Sequence, residues 1–397
     1  MNVGTTLQTE IAGAAQTGNK RGLLLRLVRA SQPISRTEIA ERLRIDKSTV
    51  TENVKPLIDS GILREDKIET KALGRRSRML SFANEGRYFV GVNFGVRRTQ
   101  VGLTTLDGVI SDEADFETPT EPARALDLVS SWLSDIQSKN DRGVIERVGV
   151  SVPGMTDAER GELVFAPNLN WRNVQIRKFL GNSKTRVVVE NDSAAAAMFE
   201  ARIKIRDTHD GLLSNFVLVR SGTGIGVGLV IGGEIFRGAG VSRGIAGEFG
   251  HMTIVAGGKL CVCGNRGCWE RYASAAAGAS LYLGDRPLRP GETNPRFVDI
   301  VAKAENGDNR SRRTLEMIGD YLGVGIANVI MGVGIPRVII SGRLVYGWQF
   351  IEGPLNDAIR RSIVGKTEGW SVEAGSPVGS AIGGAFEVAI EDFLSSL

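Results

Sequence analysis

Cysteine is scarce in this 397-residue chain: there are three, all between positions 261 and 268. An odd number in one tight cluster argues against a disulfide framework and for metal ligation. Long apolar runs are missing too. The most apolar charge-free stretch, Tyr321 to Pro336, is short, rich in glycine and closed by proline, which suits a core helix rather than a membrane span. The first residues show no basic segment leading into an apolar one, so no secretory leader is expected. A soluble, cytoplasmic protein with no membrane partner is the expectation. Low-complexity segments and short repeats are absent as well.

The chain has little net charge, 49 Lys and Arg against 45 Asp and Glu, but the charge is unevenly placed. Residues 1–83 carry 15 basic and 9 acidic side chains, and the remainder 34 and 36. A basic surplus at one end fits a nucleic-acid-binding module, and equally a solvated basic surface. The length predicts more than one compact unit.

Within residues 20–30, KRGLLLRLVRA, Leu23, Leu24, Leu27 and Val28 share one helical face, with Arg21, Arg26 and Arg29 largely on another. Ser35-Arg36-Thr37-Glu38 then reads as a capping box opening a second helix. A third helix, Lys47 to Ser60, buries Val50, Val54, Leu57 and Ile58 and stops at Gly61. Its other side presents Lys47, Ser48, Thr51, Glu52 and Lys55, as a recognition helix in a major groove would. Ile62–Arg64 and Arg78–Phe82 can pair as strands around a wing, Lys67 to Ser77, tipped by Gly74, Arg75 and Arg76. The expectation is a winged helix-turn-helix over residues 1–83. Arg36, Lys47, Ser48, Thr51, Lys55, Gly74, Arg75 and Arg76 are its candidate contacts with double-stranded DNA. A three-helix protein-interaction module is the competing reading.

From Tyr88 onward short β-rich runs (89–94, 99–104, 148–152, 186–189, 216–220) alternate with helical stretches (121–138, 193–204), so the body is α/β. The strand-turn-strand units near Phe94 and Thr223 could echo a duplication. The body also carries a spaced set of motifs. His251 and the C-x-C-G-x-x-G-C loop of Cys261, Cys263 and Cys268 supply four donors for a closed, structural Zn²⁺ site. The alternative is three reduced buried cysteines and a hydrogen-bonded histidine. His209, in a polar run, reads as a surface residue.

The series G-V-S-V-P-G (149–154), N-L-N-W (168–171), E-N-D (190–192), G-T-G-I-G (222–226), G-E-F-G-H (247–251), the cysteine loop with Glu270, and I-I-S-G-R (339–343) resembles the ROK family of repressors, open reading frames and kinases. The resemblance covers nearly the whole chain. It implies an actin-like, sugar-kinase-like two-lobed ATPase fold behind the winged helix-turn-helix. One lobe would comprise residues 84–192 with a returning C-terminal helix, 380–397; the other would comprise 193–379 with the zinc loop and the oligomerisation surface. It further implies a sugar held by Asn168, Asn191, Asp192, Glu248, His251 and Glu270, residues able to bond neighbouring hydroxyls.

The family's kinases use the counterpart of Asp192 as a general base and begin their phosphate loop with D-x-G-G-T. Here that loop reads Asn93-Phe94-Gly95-Val96-Arg97, and Arg343 stands where a second late glycine is expected. Asp192 therefore reads as a vestigial base, with no catalytic residue and no enzyme activity. The glycines at 222–226 leave room for residual nucleotide binding or for a purely structural hairpin. The expected protein is a sugar-responsive regulator, a repressor of carbohydrate uptake or catabolism genes. It would bind a pseudo-palindromic operator as a homodimer or homotetramer. The competing readings are a sugar kinase with a DNA-binding appendage and a zinc-dependent scaffold that binds neither ligand.

Overall fold

The computed structural model describes residues 20–69, 76–83, 86–139, 143–181, 185–207, 215–238, 244–284, 293–377 and 380–397. Three helices and a small sheet open this set: α1 (Lys20–Ser31), β1 (Ile34–Ser35), α2 (Arg36–Leu43), α3 (Lys47–Asp59), β2 (Leu63–Glu69) and β3 (Arg76–Phe82). Ser35 caps α2 by accepting the Glu38 N–H at 3.1 Å. Val50, Val54 and Leu57 bury one side of α3, and Gly61 follows at φ +68°. The sheet runs β1-β3-β2, with Leu63 opposite Phe82 and Glu69 opposite Arg76.

Two expectations for this module need correction. Residues 67–69 and 76–77, read as wing, are paired strand. The charged run Arg64 to Lys67 gives no apolar alternation to mark the length of the strand. Gly74 and Arg75, two of the candidate DNA contacts, lie outside the described residues, as does the side chain of Arg76. In α1 the one-sided pattern also fails, because Leu24, Leu25, Leu27, Val28 and Arg29 are all buried. The helix is covered on both sides: its core is shared with Ala389, Ile390, Phe393 and Leu394 at the chain's end.

The body contains two five-stranded sheets. The first comprises β4 (Arg87–Phe94), β5 (Arg98–Thr104), β6 (Ile110–Glu117), β7 (Val144–Val152) and, after a small three-stranded insertion (β8 Met155–Asp157, β9 Glu162–Ala166, β10 Trp171–Val174), β11 (Arg186–Asn191). Its order is β11-β7-β4-β5-β6. The second comprises β12 (Phe216–Ser221), β13 (Ile225–Ile231), β14 (Glu234–Ile235), β15 (Arg337–Gly342) and β16 (Ser371–Ala374), ordered β14-β13-β12-β15-β16.

Numbered within each sheet, both orders are 3-2-1-4-5. In both, the first strand pairs antiparallel with the second and parallel with the fourth. Helices α4 (Pro122–Lys139) and α5 (Ile176–Leu180) belong with the first sheet. The second is backed by α7 (Glu270–Ala273), α8 (Ala277–Leu283), α9 (Phe297–Glu305), α10 (Asn309–Val333) and α11 (Trp348–Arg361). By length and composition α10 could cross a membrane, but Leu315, Ile318, Leu322, Ile326 and Val329 are buried in this core.

Two helices join the halves. Ala196 and Ala197 of α6 (Asp192–Asp207) pack on Phe216, Leu218 and Ile339 of the second sheet. The last helix, α12 (Ser380–Ser395), lies on the first sheet and against α6. Small side chains at the contacts let these layers approach closely.

Candidate ligand cleft and DNA-contacting surface

A cleft of about 620 Å³ opens between the sheets, and Asn168, Asn191, Asp192, Glu248, His251 and Glu270 all line it. Strand β11 ends at Asn191 and α6 begins at Asp192. The Asn191 carboxamide donates to the Gly154 carbonyl at 2.9 Å and accepts the Ser193 and Ala194 N–H groups at 2.8 and 3.2 Å. Asn191 therefore caps α6 and sets the direction of Asp192, with its oxygen already engaged. The loop bearing Asn168 is anchored by Trp171, whose indole donates to the Thr120 carbonyl at 2.8 Å and meets Phe94 edge-on.

Two of the three glycines of 222–226, Gly224 and Gly226, have a packing reason here. A Cβ on Gly224 would come within 2.2 Å of a Glu270 oxygen, and one on Gly226 within 1.8 Å of the Ser193 hydroxyl. Strand β13 can therefore pass beside the site residues only without side chains at those points.

Glu248 and His251 share one short 3-10 turn, and Glu270 starts α7. Burial, with the Asp192 and Glu270 carboxylates nearby, pushes the Glu248 carboxyl up to about 7. In its protonated form such a group donates to a hydroxyl as well as accepting from one.

The cysteine loop lies directly behind. The ligand atoms of His251, Cys261, Cys263 and Cys268 all fall within 4.8 Å of one another. Cys263 and Cys268 sulfurs are 3.7 Å apart, and Cys261 Sγ is 3.6 Å from His251 Nδ1. A tetrahedral zinc with the usual bond lengths would space such sulfurs about 3.8 Å apart and a sulfur and nitrogen about 3.5 Å apart. The four side chains thus fit a metal ion. His251 Nδ1 faces the thiols, while Nε2 lies 3.7 Å from Glu248. Cys261 Sγ also contacts Glu270 Oε1 at 3.0 Å, so metal loop and cleft share a wall.

Sequence reasoning missed Arg220. It lines the cleft and donates from Nη1 to Asp192 Oδ2 at 2.7 Å, pairing the residue in the general-base position with a cation. The signal was available: Arg220 interrupts the apolar run Phe216–Val219 just before Gly222. Asn93, where the kinase pattern has aspartate, is buried and bonded to Gln100 and Ser151 at 3.2 and 3.3 Å. Val96 and Arg97 line the cleft beside it.

On the DNA-binding module, Lys47, Ser48, Thr51 and Lys55 are exposed on α3. Arg36 is instead half-buried and held by Glu65 at 2.8 Å. Much of the basic surplus turns inward. Arg26 pairs with Glu391 at 2.6 Å, and Arg21 donates to the Leu397 carbonyl. Arg42 reaches the Ile205 carbonyl at 2.6 Å, and Arg29 forms a two-point pair with Glu387. Arg29 and Glu387 are almost fully buried, and Arg202 of α6 joins the same carboxylate at 3.0 Å.

These features define a DNA-binding module carried on a two-lobed, kinase-like, ligand-binding body. The chain belongs to the ROK family: that family's model matches residues 89–391, and a helix-turn-helix domain model matches residues 19–66. It is 31% identical over 328 residues to a xylose repressor of Bacillus subtilis (strain 168), covering 81% of this chain and 82% of that one. It is 28% identical over 352 residues to the DNA-binding transcriptional dual regulator NagC of Escherichia coli (strain K12), covering 84% of each. A ROK family transcriptional regulator described as a homolog of the E. coli MLC protein superposes with a TM-score of 0.72 at 24% identity, over 94% of this chain and 95% of that one. A ROK glucokinase from Streptomyces griseus, solved with glucose and AMPPNP, gives 0.62 at 26% identity over 76% and 99%.

Proposed function

We propose that this protein is a sugar-responsive transcriptional repressor of carbohydrate genes, acting in the cytoplasm, whose cleft binds a saccharide and performs no phosphoryl transfer. The observation that carries the reading is a continuous mechanical path. Asp192, in the cleft, is the first residue of α6; Arg202, farther along α6, shares the Glu387 carboxylate with Arg29 of the DNA-binding module. Ligand that shifts α6 therefore shifts α1 and, through the Arg42 to Ile205 bond, α2. A coupling of ~1–3 kcal/mol, a change in DNA affinity of roughly 5- to 150-fold, is enough for induction.

Asn168, Asp192, Glu248, His251 and Glu270 are assigned to the sugar hydroxyls, with Asn191 orienting Asp192. The four-donor loop is assigned a structural zinc. The metal would fix the His251 tautomer, leaving Nε2 for a hydroxyl, and hold Glu270 in place. Two protomers on a pseudo-palindromic operator follow from the winged module. Footprinting on upstream DNA with and without a sugar panel tests the proposal; occupancy indifferent to every sugar overturns it.

Two further results are expected. Incubation with ATP, magnesium and the same sugars gives no phosphorylated product, since Arg220 occupies Asp192 and Asn93 and Val96 replace the acid and glycine of the phosphate loop. Turnover that disappears in Asp192→Asn would reverse this assignment. Lys47→Ala weakens binding to specific and unrelated duplexes alike and lowers the slope of log affinity against log salt by about 1, as for a phosphate contact. A slope equal to that of the parent protein would remove Lys47 from the interface.

A further inference from the structure

A second cavity, of about 210 Å³, lies where the DNA-binding module meets the body, and it shares no lining residue with the cleft between the sheets. Its apolar wall comes from four elements: Leu23 of α1, Met198 and Ala201 of α6, Val230 of β13 and Val388 of α12. Leu23 and Met198 are only half-buried, so module and body leave apolar surface uncovered where they face each other. Such surface favours an apolar occupant over water.

The charges around this cavity are matched within the protein. Arg26 pairs with Glu391 at 2.6 Å, Arg237 with Glu190 at 2.6 Å, and Asp392 with Arg147 and Arg186 at 2.8 and 2.9 Å. Arg29 and Arg202 share Glu387. Among the described residues Glu234 is the lining charge without an ion pair, and it is exposed to water. A charged ligand would bring an uncompensated charge into a partly dry space, which is unfavourable. A neutral one would not.

We propose that this cavity is a second effector site, for an uncharged aromatic molecule about the size of indole or cresol, and that its occupancy sets how the DNA-binding module sits on the body. The size follows from the volume: an apolar cavity of about 150 Å³ takes up benzene, and this one has room for a fused ring or a small substituent besides. The aromatic character follows from the wall. Guanidinium groups such as those of Arg26, Arg29 and Arg202 stack on π faces, and a thioether such as that of Met198 makes favourable contacts with ring edges. The Gly233 carbonyl, which accepts one Arg26 N–H at 3.1 Å, keeps a second lone pair for a ring N–H or hydroxyl.

The regulatory role follows from the position. Arg29 and Arg202 line the cavity and also hold Glu387, the link between α1 and α6, so a ligand there bears on the same contact that carries the proposed sugar signal. The inference goes beyond the saccharide reading and adds a ligand of different chemistry at a different place.

The test is calorimetric titration of the full-length protein with indole and p-cresol, alongside benzoate, benzylamine and cyclohexanol as charged and saturated counterparts. Expected for the neutral aromatics is a dissociation constant of about 0.1 mM or tighter, about tenfold or more below that of each counterpart. Filling the cavity from α6 in Ala201→Leu, or from α1 in Leu23→Trp, abolishes indole binding while the melting temperature stays near that of the parent; the half-buried position of Leu23 keeps the second variant decisive where the first does not fold. Indole changes affinity for the footprinted upstream duplex by about threefold or more, and the duplex changes affinity for indole by the same factor, as linkage requires.

Neutral aromatics that bind no tighter than their charged or saturated counterparts overturn the proposal, and so does indole binding that survives in a folded filled variant. Indole bound in the cavity with DNA affinity unchanged overturns the effector role. Failure of the saccharide reading is a distinct result: the indole titrations contain neither sugar nor DNA, so loss of every sugar response leaves their outcome standing.

Discussion

Glu387→Gln lowers stability by about 3–5 kcal/mol and abolishes the response of DNA binding to sugar, because Arg29 and Arg202 are left around a neutral amide in a dry site. Burial pushes the Glu387 carboxyl up, but the Arg29 and Arg202 charges outweigh it and hold it below the ordinary carboxylate range. The depressed value means that the stabilisation is present at neutral pH. It is lost only as pH falls from the unfolded carboxylate range through the folded value. Urea melts of parent and variant give the stability difference.

Lost stability alone would also impair response, so a second variant separates the two. Arg29→Met, Arg202→Leu and Glu387→Met together replace all three charges by apolar volume, a change that is often neutral or stabilising. It is expected to recover most of the midpoint while DNA occupancy stays indifferent to ligand. A folded triple variant that is induced as fully as the parent would show that the signal takes another route.

Cys263→Ser is expected to remove one of the four donors of the proposed zinc site, to abolish metal binding there and to lower sugar affinity. Backbone bonds already frame the loop from His251 to Glu270, among them the Gly267 N–H to the Lys259 carbonyl and the Trp269 N–H to the Met252 carbonyl, both at 2.9 Å, and the metal would fasten the tip of that frame. Tyr272 accepts the Lys259 N–H at 2.7 Å, and Trp269 donates to the Tyr321 carbonyl at 2.9 Å, but Leu260 and Val262 are exposed. Structural zinc contributes on the order of 10 kcal/mol to the order of such loops. Without it Glu270 and His251 leave the cleft together. Metal analysis, melting and sugar titration of the variant check this in sequence; full sugar affinity in a metal-free protein would break the link between loop and cleft.

The winged module was readable from local signals: the apolar spacing of α3, the Ser35 cap and the strand pair ending at Phe82. The cleft residues were readable because close backbone approach demands glycine at fixed positions, which leaves a motif such as 222–226. What stayed hidden depends on partners distant in sequence. Arg29 and Glu387 are 358 positions apart, and each alone looks like a solvated charge on a helix. Of the matching strand orders only the first hairpins, near Phe94 and Thr223, left a local trace, since parallel pairing of β12 with β15 joins segments more than a hundred residues apart. Arg220 is intermediate: visible as a charge in an apolar strand, but with no hint that Asp192 would be its partner.

The inward-facing arginines of α1 change what the head group can do by itself. Two cations counted toward its surplus are cancelled by Glu387 and Glu391 of the C-terminal helix, leaving a modest field for a polyanion. A single copy should hold a duplex only loosely, so useful occupancy demands that one engaged head raise the effective concentration of the second. Tethering of that kind gains 10²–10⁴ when the spacing matches and nothing when it does not. The effector would then need only to spoil a distance, without touching either grip.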